Sequence, residues 1–314
     1  MIRLIILIIS FMGVMFLLKH LPPVELFFNE KAAVSGGTFD LNERDRYEWD
    51  ILKSSFPEIS SKAYIVWDLE GGQIISENNA GARLPIASLT KLMTALLVFE
   101  ESDLRESVLI PKESLGKLDE SGNLSSGEKL SVGDLLHAAL LASSNDATEA
   151  LAMHVGGKVF DSILTDQDPS YQEKVLTFVL MMNLKARKLG MTNTVFQTPT
   201  GLDHADQYSS AQDFKLLVDA LSHFYPEALE ITSKSLFSTH LDNGKIYVWK
   251  NSNELLQSYS NIKGGKTGFT LEARGALFTV WEAGDKSKIA SIILGAEDRF
   301  GEMQKIIDWT ETAK

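Results

Sequence analysis

Cysteine is absent from the 314 residues of this chain. Disulfides, thiolate nucleophiles and cysteine-ligated zinc are excluded together, and the absence fits an exported protein that avoids oxidation. Positive charge is in the minority: 30 Lys and Arg stand against 42 Asp and Glu, a net charge of −12. No basic stripe is visible to meet phosphates, which argues against nucleic-acid binding. Histidine is scarce, with six residues at positions 20, 137, 154, 204, 223 and 240. None of them shows the H-E-x-x-H spacing of a metal enzyme, so no metal site is expected. There are no internal repeats. Composition is otherwise ordinary, 44% hydrophobic and 23% charged, and the length suits one large domain or two small ones.

One uncharged apolar run stands at the N-terminus, fifteen residues from Leu4 to Leu18 between Arg3 and Lys19. As a helix it would cover roughly 22 Å, short of a hydrocarbon core of ~30 Å. Snorkelling by Arg3 and Lys19 extends the usable span. A signal peptide needs small residues for cleavage soon after the run, and Lys19-His20-Leu21-Pro22-Pro23 offers none; Ala33-Val34-Ser35 lies well downstream. Residues 1–21 therefore read as an uncleaved membrane anchor, with a cleaved signal sequence as the alternative. Basic residues differ little across the span, so charge alone does not set its orientation. Residues 22–55, with two prolines, "SGG" and "NERDRYEWD", read as a juxtamembrane linker. The main domain is expected over 56–314.

Within that domain, "KAYIVWDLEGGQIISENN" reads as a β-hairpin turning at Glu70-Gly71-Gly72. Helical periodicity follows from near Ser88, over 131–155 with a cap at "SVGD", over 171–190 closed by Gly190, and over 209–223. Then come "LFSTHL", "KIYVWK", "RGALFTVWEAG" and "KIASIILGA", all strand-like, and a last helix over 300–312. Strands, a long helical insert, more strands and a closing helix predict an α+β domain. Its sheet would unite strands from both ends of the chain.

Three short motifs carry the chemistry. In "LPIASLTKLMTALLVFE", Ser88 and Lys91 sit at i and i+3 where an apolar helix begins, so their side chains are neighbours. Leu89, Leu92, Met93, Leu96 and Leu97 put one face of that helix in the core. An ammonium at the foot of such a helix is costly without a partner or a task. S-x-x-K also occurs at Ser114–Lys117, Ser126–Lys129 and Ser260–Lys263, all in polar, turn-like surroundings. Alone, the pattern reads as a helix cap beside a solvated lysine. The second motif is Ser143-Ser144-Asn145 in "LLASSNDATEALA", which alone reads as a polar helix break. The third is Lys266-Thr267-Gly268 in "IKGGKTGFT", on or beside a strand, which alone reads as a glycine-rich turn.

In this order S-x-x-K, S-x-N and K-T-G form the signature of the penicillin-recognising serine acyltransferases and β-lactamases. The chain resembles the D-alanyl-D-alanine carboxypeptidases, the low-molecular-mass penicillin-binding proteins. The likeness covers roughly 60–312 and extends to "RLPIASLTKLMTALL", "RKLGMTNTVFQTPTGLD" and "LGAEDRFGEMQKIIDW". It implies the β-lactamase/transpeptidase-like fold: an antiparallel sheet flanked by helices, with an inserted helical lobe. By the same resemblance Ser88 is the nucleophile and Lys91 its general base. Ser143, against Lys91, relays a proton to the departing D-alanine, and Asn145 holds the substrate's peptide amide. Lys266 and Thr267 meet the terminal carboxylate, Gly268 completes the motif, and the backbone N–H groups of Ser88 and Phe269 form the oxyanion hole. Arg299, in "AEDRF", resembles a family arginine that helps hold the carboxylate. No cofactor is implied. A base at neutral pH needs the lysine brought from ~10.4 to near 7, about 4.6 kcal/mol against the charged form. Burial and a second cation, Lys266, both push that way.

The expected partners are peptidoglycan stem peptides ending in D-Ala-D-Ala, β-lactams as covalent inhibitors, and the membrane through the N-terminal segment. The middle residue of S-x-N, often glycine in relatives, is Ser144 here; a literal "SGN" at Ser121 to Asn123 lies in loop-like surroundings. Many relatives continue into a small β-rich domain and a C-terminal amphipathic anchor. On that basis the N-terminal span is expected to anchor the catalytic domain on the outer face of the bacterial cytoplasmic membrane, or the protein to be secreted if the span is cleaved. A D,D-endopeptidase cutting peptidoglycan crosslinks is the alternative within the family. A class A β-lactamase would need E-x-x-L-N between Asn145 and Lys266, and the pattern does not occur there. A non-catalytic β-lactam sensor fits poorly with a full set of motif residues and no output domain.

Overall fold

The computed structural model describes residues 56–116, 122–163 and 169–312. The apolar run at 4–18 and the linker at 22–55 lie outside the described residues. Among the described residues no helix is long and apolar enough to cross a membrane.

Strands β1 (Ala63–Asp68) and β2 (Ile74–Asn78) form the hairpin expected around Glu70–Gly72. A 3-10 turn, Ala87–Thr90, runs into α1 (Lys91–Glu101). Two three-residue strands, β3 (Ser107–Leu109) and β4 (Lys129–Ser131), pair antiparallel. Helices α2 (Val132–Leu140), α3 (Asn145–Ile163), α4 (Tyr171–Lys188), α5 (Ala211–Phe224) and α6 (Glu227–Ser233) build the helical lobe. The hairpin β5 (Leu236–His240) and β6 (Ile246–Lys250) follows. Then β7 (Ile262–Thr270), β8 (Arg274–Glu282), β9 (Lys288–Ala296) and α7 (Arg299–Thr312) complete the chain.

The central sheet has the order β2-β1-β9-β8-β7, antiparallel throughout, so strands from both ends of the chain do share one sheet. Side chains alternate across a strand, and here both faces are covered. Ala63, Ile65 and Trp67 of β1, with Phe278 of β8 and Ile292 of β9, pack with α1 and α5. Tyr64 and Val66 of β1, with Leu277, Trp281 and Ile293, pack with Met303, Ile306 and Ile307 of α7. Coverage on two sides explains why β8 and β9 read as near-continuous apolar runs. One indole anchors each layer: Trp67 Nε1 donates to Asp219 of α5 at 3.0 Å, and Trp281 Nε1 to Thr310 of α7 at 2.9 Å. Burying a large apolar side chain contributes about 1.5–3 kcal/mol, against ~1 kcal/mol for a hydrogen bond. The indole bonds thus set which helix face meets the sheet more than how strongly it is held.

The helix expected over 131–155 is two helices, α2 and α3, separated by 141–144. Ser131 and Asp134 form the expected capping box at its start, and a second box, Ser170 with Glu173, opens α4. The break falls where Ser143 takes a left-handed backbone, φ +60°. Helix α6 and the pair β3–β4 are too short to show as periodicity. Strand β7, readable beforehand as a glycine-rich turn, is nine residues long and forms the sheet edge.

The lobe meets β5 through a histidine. The His137 ring stacks on Phe237 at 3.6 Å; its Nδ1 bonds the Gly133 carbonyl at 2.8 Å and its Nε2 faces Lys234 Nζ at 2.9 Å. The first contact makes Nδ1 the protonated nitrogen, leaving Nε2 to accept from the ammonium. Burial holds the imidazole below its usual value and the Lys234 charge adds to this, against the Gly133 carbonyl and Asp134. The folded chain therefore takes up this proton less readily than the unfolded chain does. Its contribution is intact above about pH 6.5 and falls as pH drops below that. Between pH 7.5 and 5.5, the denaturant midpoint of the wild type is expected to fall further than that of His137→Gln. Equal losses would assign the pH dependence to other groups.

Candidate active site

The turn that opens α1 buries Ala87, Leu89 and Thr90 and leaves Ser88 partly open to solvent. Ala87 stands at φ +46°, a conformation that costs a residue with a side chain about 1–2 kcal/mol. Lys91, one turn on, is only 1% exposed. Its Nζ donates to Ser88 Oγ at 2.7 Å, to Asn145 Oδ1 at 2.9 Å and to the Thr200 carbonyl at 3.0 Å. All three are neutral oxygens, and the nearest is the serine hydroxyl.

The helix break supplies the second motif. Ser143, in its left-handed conformation, and Asn145, at the start of α3, both point into the site. Ser143 Oγ accepts from Lys266 Nζ at 2.9 Å, while Asn145 bonds Lys91. Ser144, between them, is fully buried and packs against Gly122: a Cβ there would lie 2.4 Å from Ser144 Oγ. The Gly122 carbonyl in turn accepts from Trp249 of β6 at 3.2 Å. Gly122 thus lies beside the S-x-N motif.

Strand β7 supplies the third motif. Lys266 is 1% exposed and also donates to the Thr267 carbonyl at 2.8 Å. Thr267 Oγ1 shares a 2.5 Å hydrogen bond with Ser252. Gly268 passes the nucleophile turn so closely that an added Cβ would sit 3.1 Å from both Ser88 N and Ala87 Cβ. A glycine in a strand is expected where another backbone approaches in this way. The Phe269 ring is 60% exposed. Arg299, at the start of α7, donates from Nη1 to the Gly268 carbonyl at 3.0 Å and lies over the Phe269 and Phe300 rings. Its guanidinium is thereby built into the end of the K-T-G strand.

The structure brings together Ser88, Lys91, Ser143, Asn145, Lys266, Thr267, Gly268, Phe269 and Arg299. The other S-x-x-K segments do different work. Ser114 bonds the Pro111 carbonyl, Lys129 lies in β4, and Lys263 faces Glu282 at 3.8 Å. Sequence reasoning missed the Thr200 carbonyl, Ser252 and the loop at 197–202. The one local signal for that loop was Gly201, at φ +89°, where a Cβ would lie 1.9 Å from the Ala87 carbonyl oxygen. Among the described residues no group of three or more His, Cys, Asp or Glu could hold a metal ion.

Fold and motif placement together define the class, that of the penicillin-binding DD-peptidases. The Streptomyces K15 DD-transpeptidase is 25% identical, with a TM-score of 0.71 over 82% of this chain and 98% of that one. Residues 51–298 match the family Peptidase_S11, D-alanyl-D-alanine carboxypeptidase, and the chain belongs to that family. D-alanyl-D-alanine carboxypeptidase DacC of Escherichia coli K12 is 34% identical over 267 residues, 81% of this chain. The chain spans only 62% of DacC's length. The D-alanyl-D-alanine endopeptidase of the same organism is 30% identical over 83% of this chain and 80% of its own length.

Proposed function

We propose that this protein is a serine-type D-alanyl-D-alanine carboxypeptidase that removes the terminal D-alanine of peptidoglycan stem peptides. The observation that carries the reading is buried Lys91 Nζ at 2.7 Å from Ser88 Oγ, with Asn145 Oδ1 and the Thr200 carbonyl also accepting from it. Burial at 1% exposure raises the cost of keeping the ammonium. The free amine left behind is the base a serine nucleophile needs.

Ser88 Oγ attacks the carbonyl carbon of the penultimate D-alanine as its proton passes to Lys91. The oxyanion forms between the N–H groups of Ser88 and Phe269. Lys266 and Thr267 receive the terminal carboxylate at the edge strand, with Arg299 shaping that end of it, and Asn145 holds the peptide amide. The C–N bond then breaks, a proton reaches the leaving nitrogen through Ser143, and D-alanine departs. Water attacks the ester on Ser88 and completes hydrolysis. A β-lactam follows the same first steps, but its leaving nitrogen stays tethered in the opened ring, so the enzyme remains acylated. The reading places this chemistry on the outer face of the cytoplasmic membrane, with the apolar run at 4–18 as the anchor over residues 1–21, a linker over 22–55 and the catalytic domain over 56–314.

A second reading, a D,D-endopeptidase cutting crosslinks, is supported by the 30% identity to the E. coli D-alanyl-D-alanine endopeptidase over 83% of this chain. The test is release of free D-alanine from a synthetic pentapeptide ending in D-Ala-D-Ala, with full-length protein in detergent beside Ser88→Ala. Release by the wild type alone is the expected result. No release from a wild type that still labels covalently with penicillin, together with cleavage of crosslinked muropeptides, would replace the carboxypeptidase with the endopeptidase.

A further inference from the structure

Lys91 is oriented by more than the three motifs. As a free amine it has two N–H donors and one lone pair. Asn145 Oδ1 and the Thr200 carbonyl accept from it, so with both donors engaged there the lone pair turns towards Ser88. One of these two acceptors is a backbone atom in a loop, and its position depends on whatever holds that loop.

Gln207 holds it. The side chain is 5% exposed and lies inside the loop at 197–202. Its Oε1 accepts from Gln197 N at 3.0 Å, Thr198 N at 2.9 Å and Thr198 Oγ1 at 3.2 Å. Its Nε2 donates to the Leu202 carbonyl at 3.1 Å. Thr198 Oγ1 also accepts from Gly201 N at 3.0 Å, so the network brackets Thr200 on both sides. From the other side, Thr94 of α1 donates to the Pro199 carbonyl at 2.7 Å. Two backbone N–H groups demand an oxygen and one carbonyl demands an N–H, so only an amide satisfies both ends. A carboxylate would set a charge against the Leu202 carbonyl.

We infer that Gln207 is a positioning residue for acylation, fixing the loop whose Thr200 carbonyl orients Lys91 towards Ser88. The inference rests on the acyl-transfer reading above. Gln207 acts through the loop and Lys91, so its loss should slow the chemical step and leave initial binding alone.

The test is acylation of the full chain by a fluorescent penicillin. Saturation kinetics separate the acylation rate k2 from the initial binding constant, and end-point stoichiometry counts active sites. Gln207→Met, which keeps the shape and loses the hydrogen bonds, is expected to label to full stoichiometry with k2 lowered about tenfold or more. Initial binding should stay within about twofold, because positioning of the base acts on the transition state alone. Gln207→Glu retains the acceptor and adds a buried negative charge that favours the Lys91 ammonium. The acid limb of its k2 profile is expected at higher pH than in the wild type.

Wild-type k2 in Gln207→Met, or a fall in stoichiometry or melting temperature alone, would reduce Gln207 to a structural role. If Gln207→Met gives no cooperative melt, Thr198→Val, which breaks the same network at its centre, must show the k2 loss or the inference falls. A wild type that fails to label at Ser88 would remove the acyl-transfer reading itself. A labelled wild type with an unaffected Gln207→Met would remove only this inference.

Discussion

Lys91→Gln is expected to lower penicillin acylation by 10²–10⁴-fold, the usual range for loss of a general base, while the protein folds normally. The amide can still donate within the pocket formed by Asn145 and the Thr200 carbonyl, but it cannot accept the Ser88 proton. Stability should not suffer, because a neutral amide avoids the cost of either burying an ammonium or deprotonating a lysine on folding, at a site 1% exposed. A melting temperature at or above the wild-type value, with labelling slowed by orders of magnitude, is the combined signature. Labelling within a few-fold of wild type would show that Lys91 is not the base. Lys266, bonded to Ser143, would then be the next residue to test.

Gly201→Ala should cost about 2–5 kcal/mol, adding the overpacking and left-handed backbone penalties. The new methyl would lie 1.9 Å from the Ala87 carbonyl oxygen and 2.9 Å from Thr90 Oγ1, so either the loop or the nucleophile turn must move. Gly72→Ala is the control: its φ is +71° with nothing within 4 Å, so only the backbone penalty applies. Thermal unfolding should rank the two clearly, and acylation should fall with Gly201→Ala alone. Equal destabilisation would mean that the turn yields easily and that Ser88 is not rigidly placed.

The site was legible wherever chemistry resides in side chains. Ser88 and Lys91 stood out because a lysine at the foot of an apolar helix conflicts with local preference, and such conflicts mark functional sites. Ser143 to Asn145 were visible as a polar interruption, although periodicity ran one helix through 131–155 where the structure has two. Long strands such as β8 and β9 announced themselves through β-branched and aromatic residues. Strand β7 did not, because the glycines that admit neighbouring backbone also erase the strand signal. The Thr200 carbonyl was invisible in principle, since any residue presents the same oxygen. Gln207 looked like one more polar loop residue until its four hydrogen-bond partners were placed around it.

The order of strands in the central sheet governs when the candidate site can first assemble. Strand β1 lies between β2 and β9, so one of the earliest strands synthesised completes its pairing only with one of the last. Ser88, Ser143 and Lys266 share this long-range dependence. Contacts between distant parts of a chain form slowly, and a ribosome-bound fragment ending before residue 262 has no K-T-G strand. A nascent chain would therefore stay unlabelled by penicillin until its last sixth or so, from Ile262 onward, had emerged and docked. Covalent labelling at Ser88 becomes a timer for the end of folding.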